Sequence, residues 1–417
     1  MPKRTHRQTV LRGFRTEIRP NQEQVVFFGR CCGTARWVWN WALARRKEAY
    51  EKDKKTINSG ALMKEIRTLH ATNPEYAWLR EVDARAIEYA VRDLDTAFKN
   101  FFRRVKKGEK PGYPKFKARR PGSGRYSTIS STAGGKGGGT PVDKDRIRLP
   151  KIGWIRLKEC DYIPAGRNGH RVTVSEGVAG RWFVTVLAEE ERACYPDGRP
   201  AVGIDLGLRT FAVLSDGVKI PHPHIADKAS AKVKRLQRIL SRKKRGSQNR
   251  NKARERLAIA HWRLANTRRH WMHETTTAIV KDYGTIVLET LGIKDLLEKS
   301  TKRVSREISD AAWFEFRRQI EYKGLWHGTD VIPVSRWFPS TRRCSECGAD
   351  TEVSLEERTC TCRSCGLVID RDENAAANLL QCAEELHKES AAKPAVHACG
   401  GVPMGMPMKQ ESVVRGV

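Results

Sequence analysis

Residues 344–378 read CSECGADTEVSLEERTCTCRSCGLVIDRDENAAAN, and the rest of the chain is best understood outward from them. Cys344-x-x-Cys347 forms one knuckle and Cys362-x-x-Cys365 a second, each followed by a glycine, Gly348 or Gly366. Glycine lets the backbone fold tightly around a thiolate-held ion. Two knuckles at this separation predict a structural zinc ribbon with four tetrahedral sulfur ligands, in preference to disulfides or unrelated buried thiols.

Immediately after the second knuckle, Asp370-Arg371-Asp372-Glu373-Asn374 runs into AAANLLQCAEELHK, a composition that favours a helix. Asp370 and Glu373 have capping-box spacing, which leaves Asp372 in the first turn and free to serve another purpose. Acids at a helix start also complement the macrodipole. From these residues alone, capping and catalysis both stand.

The chain is 417 residues long, enough for two or three domains with their own cores. Its 79 Lys and Arg against 48 Asp and Glu leave a formal charge of +31, which predicts a polyanionic partner. No apolar run reaches membrane-spanning length and no basic amphipathic anchor stands out, so nucleic acid is expected in place of a membrane surface. The basic start MPKRTHRQTVLRGF lacks the apolar segment of a secretory signal. Of 11 cysteines, four fit the ribbon and the rest show no disulfide framework, as expected in a reducing cytoplasm.

Along the chain, residues 8–19 alternate as a strand, and Pro20-Asn21 opens a long helix. Further helices are predicted over 59–70 and 83–107. Trp37, Trp39, Trp41, Phe98, Phe101 and Phe102 sit at helical spacing, which suits a core better than base stacking. The loop GEKPGYPKFKARRPGSGR places Lys115, Lys117, Arg119 and Arg120 around Phe116, a mixture suited to a nucleic-acid backbone and equally to a solvated linker. AGGKGGGT (133–140) lacks the ending of a phosphate loop and is expected to be a flexible turn. Alternating segments over 145–191 join residues 8–19 in a small antiparallel barrel with helices inserted after its first strand.

The pattern then changes. AVGIDLG (201–207), TFAVLSDG (210–217) and VKIPHP (218–223) read as three consecutive strands, followed by a basic helical pair over 227–282 broken near 242–251. GTIVLETL (284–291) is a buried strand, ISDAAWFEFRRQIEYKGLWHG an amphipathic helix and TDVIPVS another strand. Three sequential strands followed by alternating helices and strands predict a ribonuclease H topology. Asp205 and Glu289 lie within apolar strands, where an acid needs a partner. In that topology the first and fourth strands are neighbours and the final helix starts near their ends. Asp205, Glu289 and Asp372 then converge, and three carboxylates without a basic partner invite divalent metal, typically Mg²⁺. A pair of such ions supports phosphodiester hydrolysis. Asp372 is thereby the expected catalytic acid, with Asp370 a cap or a supporting residue alongside Arg371 and Asn374.

GIDLGLRTFAVLSDG, IVLETLGIKDL, SRWFPSTRRCSECG and CRSCGLVIDRDENAAANLL closely resemble the TnpB (OrfB) proteins of bacterial insertion sequences, relatives of type V CRISPR effectors. RPNQEQ, GTARWVWNWALARR and LDTAFKNFFRRVKKGEKPGYPKFKARR extend the resemblance over most of the chain before residue 390. The resemblance implies an RNA-guided DNA endonuclease that binds a guide RNA and a double-stranded target, with a monomer as the working expectation. It implies a mixed fold of α/β, all-β and α parts. A β-barrel (wedge) domain spans 1–20 plus 112–195 and a helical recognition insert 21–111. A ribonuclease H-like (RuvC) nuclease domain spans 196–340 plus 367–388, with the zinc ribbon at 341–366 and a disordered tail from 389. Carried over, Asp205, Glu289 and Asp372 bind catalytic Mg²⁺, and Cys344, Cys347, Cys362 and Cys365 hold zinc. Cys360 departs from the family pattern, standing where a non-ligand residue is expected; it could compete with Cys362 for the metal, but the Cys-x-x-Cys knuckle favours Cys362. Lys234, Arg235, Arg238, Arg242, Lys243, Lys244 and Arg245 would line the channel for a guide–target hybrid, recognised by shape and backbone.

Two other functions compete. A nuclease-inactive RNA-guided repressor would be marked by loss of an acid, and all three are present. A DNA transposase or recombination accessory protein is hinted at by His222-Pro-His224, but no neighbouring helix offers a tyrosine nucleophile and the acids run Asp, Glu, Asp.

Overall fold

A computed structural model describes residues 7–129, 139–168, 171–195, 198–351 and 358–392. Most of the glycine run at 133–140, Cys399, part of the ribbon loop and the tail beyond 392 lie outside them. The chain divides into two compact units: Met1–Arg199 with Pro223–Gly284 and Arg306–Asp330, and Pro200–His222 with Thr285–Ser305 and Val331–Val417.

In the first unit, strand β1 (Arg7–Arg19) leads into helices α1 (Gln22–Asp53), α2 (Ser59–Thr72) and α3 (Ala84–Lys106). Seven strands follow: β2 (Arg125–Thr128), β3 (Thr140–Val142), β4 (Arg146–Leu149), β5 (Gly153–Leu157), β6 (Gly166–Asn168), β7 (Val172–Glu176) and β8 (Trp182–Ala193). Asn21 starts α1 as predicted, with a full capping box: its side chain accepts from the Gln24 N–H while the Gln24 side chain accepts from the Asn21 N–H. The strands form one eight-stranded sheet in the order β2-β7-β8-β1-β5-β4-β3-β6. The closed barrel expected from the alternation is not found, because the end strands β2 and β6 do not pair with each other among the described residues. β2 packs instead against α1 and α3, which shield that end of the sheet.

A single core runs through sheet and helices, from Phe14 and Ile18 of β1 through Phe28, Val38 and Leu43 of α1 to Leu94 of α3 and Val184 of β8. Trp39 belongs to it, and Trp37 stacks on Trp41 and packs edge-on against Trp78. These tryptophans and Phe98 are core, as their spacing indicates, whereas Phe102 near the end of α3 is exposed, contrary to that expectation.

The next strands are β9 (Ala201–Leu206), β10 (Thr210–Leu214) and β11 (Lys219–Pro221), and the basic helical pair is α4 (Ile225–Ser241) and α5 (Gln248–Asp282). β12 (Thr285–Glu289) precedes α6 (Ile293–Lys299), a short helix the sequence reading did not anticipate, and α7 (Lys302–Ala311). α7 and α8 (Trp313–His327) were expected as one helix; they are separated by Ala312 in the left-handed region, at φ 51°. The last elements are β13 (Asp330–Val334), the ribbon hairpin β14 (Thr359–Thr361) and β15 (Val368–Asp370), and α9 (Arg371–Ala392). α9 extends past residue 389, where the tail was expected to begin.

α4, α5 and α8 lie wholly within the first unit. There the buried Asp310 accepts from Arg268 and from the Ala226 N–H, joining the start of α4 to α5 and α7. Arg199 donates to the carbonyls of Val280 and Tyr283, satisfying acceptors at the end of α5 that have no helical partner.

The second unit is built on a five-stranded sheet in the order β11-β10-β9-β12-β13. β10 runs antiparallel to both β9 and β11, whereas β12 runs parallel to β9. Buried runs such as Val202–Ile204 and Ile286–Leu288 fit strands covered on both faces. α9 lies across β9, β10 and β12, with Leu379 and Ala383 packed against Val287 and Val334. The close approach depends on small residues. A Cβ on Gly203 would collide with the Ala376 carbonyl oxygen, and Ala375 and Ala376 are fully buried.

Candidate metal centres

The ribbon forms from local backbone chemistry. Gly348 at φ 75° and Gly366 at φ 76° close the two knuckles. Their N–H groups donate to the carbonyls of Cys344 and Cys362 at 2.9 and 3.0 Å. Cys344 Sγ then lies 3.7 Å from Cys365 Sγ, and Cys347 Sγ lies 3.5 Å from Cys362 Sγ. All four ligand atoms fall within 4.8 Å of one another, and among the described residues no other such cluster occurs. The N–H groups of Cys365 and Ser364 lower the Cys362 thiol, whereas neighbouring thiols raise Cys347 and Cys365, as expected of four sulfurs crowded together without an ion. Four soft donors at this spacing fit tetrahedral zinc.

Cys360 is outside this group. It is buried on β14 opposite Ile369, where strand alternation points it to the interior.

α9 grips the first knuckle. Asn374 accepts from the Ser345 N–H at 2.9 Å and donates to the Arg343 carbonyl at 2.7 Å. Asn378 donates to the carbonyls of Ser340 and Arg343 at 2.7 and 2.6 Å. Both asparagines are buried. Asn374 therefore touches the ribbon; the regular spacing of Asn374 and Asn378 on one helix face was the available signal in the sequence.

Asp370 caps α9, accepting from the N–H groups of Asp372 and Glu373 at 2.9 and 3.3 Å. The reciprocal half of the expected capping box is replaced by an ion pair, as Lys219 Nζ on β11 lies 2.8 Å from Glu373 and 3.5 Å from Asp370.

The acids lie on three elements of this unit, and among the described residues only the four thiols form a group of three or more ligand atoms within 4.8 Å. The registered pairs of β9 and β12 end at Ile204–Leu288, and Asp205 and Glu289 are the next residue on each of these parallel strands. Asp205 also lies opposite Val213 of β10. Asp372 follows in the first turn of α9. All three are half-buried. The Asp205 carboxyl is pushed up to about 7 by burial, then by the charges of Asp372 and Glu289, and burial raises Glu289 as well.

The sequence reading treated the acids as lacking a basic partner, and here the structure differs. Arg358 Nη1 and Arg371 Nη2 lie 3.4 and 3.5 Å from the two Asp372 oxygens, and Arg371 also offsets charge at Asp205. Both arginines come from the ribbon-to-helix junction, so their placement depends on the hairpin's pairing, which spacing alone does not reveal. Carboxylate oxygens are the hard donors that a divalent cation takes, and Asp205 has two further acids close enough to oppose its charge.

In the first unit, Lys234, Arg235 and Arg238 on α4 and Arg242, Lys243, Lys244 and Arg245 after it are all exposed. Arg250 donates to the carbonyls of Leu240 and Lys243 and so braces the turn between α4 and α5. Lys115, Arg119 and Arg120 are exposed, whereas Lys117 is half-buried with its Nζ 3.5 Å from the Trp39 ring centroid. This loop is strapped to α1: Trp39 Nε1 donates to the Lys115 carbonyl at 3.0 Å, and Asn40 pairs with both backbone groups of Lys117. His222 is buried edge-on against Phe211. Among the described residues, no helix is long and apolar enough to cross a membrane.

Three family models match the chain. OrfB_IS605, described as a probable transposase, matches residues 184–300; a Cas12f1-like TNB domain matches 313–379; and a helix-turn-helix domain matches 9–55. The last region is here a strand followed by the unbroken α1. A Streptomyces pristinaespiralis protein named "Putative RNA-guided DNA endonuclease" is 36% identical over 397 residues, covering 94% of this chain and 92% of its own. InsQ of Escherichia coli K12, of the same designation, is 33% identical over 419 residues, covering 96% of this chain and 97% of its own. The fold is similar to that of Cas12f1 in its complex with guide RNA and target DNA, with a TM-score of 0.57 at 15% identity over 86% of this chain and 83% of that one.

Proposed function

The chain belongs to the TnpB (OrfB) family of insertion-sequence proteins, and on that premise we propose that it is an RNA-guided, metal-dependent DNA endonuclease. The observation that carries the reading is Asp205, an acid at the end of β9 whose ionisation is opposed first by burial and then by the charges of Asp372 and Glu289. Such a cluster is costly without a cation and is characteristic of sites that act on phosphodiesters. The sheet order, with three antiparallel strands and a fourth parallel to the first, supports a ribonuclease H-like (RuvC) domain.

Asp205, Glu289 and Asp372 would hold Mg²⁺, in all likeness to the family as a pair of ions. When bound, the metal supplies Lewis-acid polarisation of the phosphate and a nucleophilic water at neutral pH. The chain's own contribution is orientation. β9 and β12 fix two carboxylates side by side, and Asp370 caps α9 so that Asp372 is held in its first turn. Arg358 and Arg371 restrain Asp372 and add positive charge beside the position a phosphate would take. Zinc held by Cys344, Cys347, Cys362 and Cys365 would be structural, stiffening the ribbon that α9 grips.

Guide RNA and double-stranded target DNA would be bound through the exposed cations of α4, the turn after it and the 115–120 loop. Most of that affinity would come from phosphate contacts and fall steeply with salt. The division into an open-sheet (wedge) part, helical insert, nuclease domain and ribbon remains part of this proposal.

The test is to purify the protein from cells expressing its own locus, sequence the RNA that accompanies it, and challenge a matched plasmid with Mg²⁺. Cleavage that depends on both RNA and metal is expected. Asp205→Ala should keep nucleic-acid binding and lose cutting by on the order of 10³-fold. Normal cleavage by this variant would remove the acid site from consideration, and guided binding without cleavage by the native protein would favour a repressor.

A further inference from the structure

Trp337, between β13 and the first knuckle, is 79% exposed, more than any other large hydrophobic residue among those described. By contrast Trp39, Trp182 and Trp313 are buried. Exposing an indole forgoes roughly 1.5–3 kcal/mol of burial, so an exposed position that is also rigidly held calls for a use.

Its backbone is anchored and its ring has a cation beside it. The Trp337 N–H donates to Ser335 Oγ at 3.4 Å and the Phe338 N–H to the Ser335 carbonyl at 3.0 Å. Phe338 itself packs against the Val287, Val334 and Leu379 core. Arg336 places its guanidinium 4.6 Å from the Trp337 ring centroid and is fixed there by Asp295 at 2.6 Å. The cation therefore supports the ring while most of the indole stays open.

The anchor of this segment lies beside the acid site. The Arg336 N–H donates to Thr290 Oγ1 at 3.1 Å, and the Thr290 N–H donates to the Val334 carbonyl at 2.9 Å. Thr290 directly follows Glu289. A base resting on Trp337 would thus be held by a segment bonded to the neighbour of a proposed metal-binding carboxylate.

We propose that Trp337 is a base-stacking platform that positions single-stranded DNA for the Asp205, Glu289 and Asp372 site. The inference rests on the nuclease reading and deepens it by naming the form of the substrate. In a duplex, base faces are covered by neighbouring bases; in a single strand they are open to an aromatic ring. Every base has such a face, so a tryptophan can hold a strand whose sequence is dictated elsewhere. Trp337 is a positioning residue and takes no part in bond breaking.

The experiment uses the full chain with its co-purified RNA, in EDTA so that nothing is cut. A fluorescent single-stranded DNA without complementarity to the guide is titrated, alongside an abasic strand of equal length and an RNA strand. Trp337→Ala should weaken DNA binding about tenfold, equivalent to roughly 1.4 kcal/mol, while Trp337→Phe should restore most of it. The abasic strand should bind the native protein more weakly than DNA yet bind both proteins alike, because the two deletions remove one interaction. With Mg²⁺ restored and a matched single strand, Trp337→Ala should raise KM with little change in kcat.

Equal DNA affinity of native and Trp337→Ala proteins would overturn the platform, as would abasic and alanine losses that add in full. A loss confined to the RNA strand would assign Trp337 to the guide and equally defeat the proposal. Lowered melting temperature in both variants would identify it as packing. If the Trp337-dependent DNA binding appears but native protein never cuts, the nuclease reading falls and the platform stands.

Discussion

Two candidate metal centres occupy the same compact unit and are assembled in opposite ways. The four thiols come from two tight turns, each closed by its own glycine and backbone hydrogen bonds, and their sulfurs already stand within 4.8 Å of one another. The three acids come from β9, β12 and α9, and burial together with the charges of Asp372 and Glu289 opposes ionisation of Asp205. The first centre is therefore expected to organise its surroundings when metal binds, whereas the second must be held together by packing elsewhere. They are coupled through α9, which carries Asp372 at its start and grips the first knuckle with Asn374 and Asn378.

That contrast can be broken most forcefully at the thiols. Structural zinc contributes on the order of 10 kcal/mol or more to small domains, so replacing Cys344 and Cys347 together by Ser should abolish zinc binding and unfold the ribbon. Zinc measured by atomic absorption and protease sensitivity around the ribbon report this directly. Because α9 loses its grip, cleavage should fall as well; retained zinc would show that the sulfurs are not the ligands.

Gly203→Ala addresses the acid centre through packing alone. The new Cβ must displace α9 from β9, an overpacking cost of roughly 1–3 kcal/mol. Cleavage should drop while zinc content stays unchanged, which separates the two centres. Normal activity with an unaltered melting temperature would mean that α9 does not depend on this contact.

A smaller effect is expected from Asp205→Asn in the metal-free protein. Removing one of three opposed charges should raise the melting temperature by about 2–4 °C. Mg²⁺ should stabilise native protein and fail to stabilise the variant. A lower melting temperature in the absence of metal would contradict charge opposition among the acids.

The smallest change is expected at Cys360. Its replacement by Ala should leave zinc stoichiometry intact and cost about 1 kcal/mol by denaturant unfolding, as a small buried side chain on β14 would. Loss of zinc would instead make it a ligand.

These expectations follow how much was legible along the chain. The ribbon was, since its ligands and turns lie within a few residues of one another and thiolate spacing reflects backbone geometry. The start of α1 at Pro20-Asn21 and the capping of α9 by Asp370 were visible for the same reason. Asp205 and Glu289 stood out because an acid in an apolar strand is costly, and the order of strands brought them together. Gly203 could have been noticed as a glycine within a strand paired with the small residues of ENAAAN, yet only the packed helix shows which backbone it admits. The expected barrel did not close, because strand alternation reports which face is buried and carries no information about whether the end strands meet.

The amino-acid order by itself determined the zinc-binding knuckles, the helix caps, the basic character and the acids available for metal. These depend on local geometry or on composition. Tertiary structure decided which distant groups share a neighbourhood: Arg358 and Arg371 at Asp372, α9 against Gly203, and Trp337 anchored beside Glu289. Long-range proximity arises from how elements pack, and packing is a property of all the side chains in a core together.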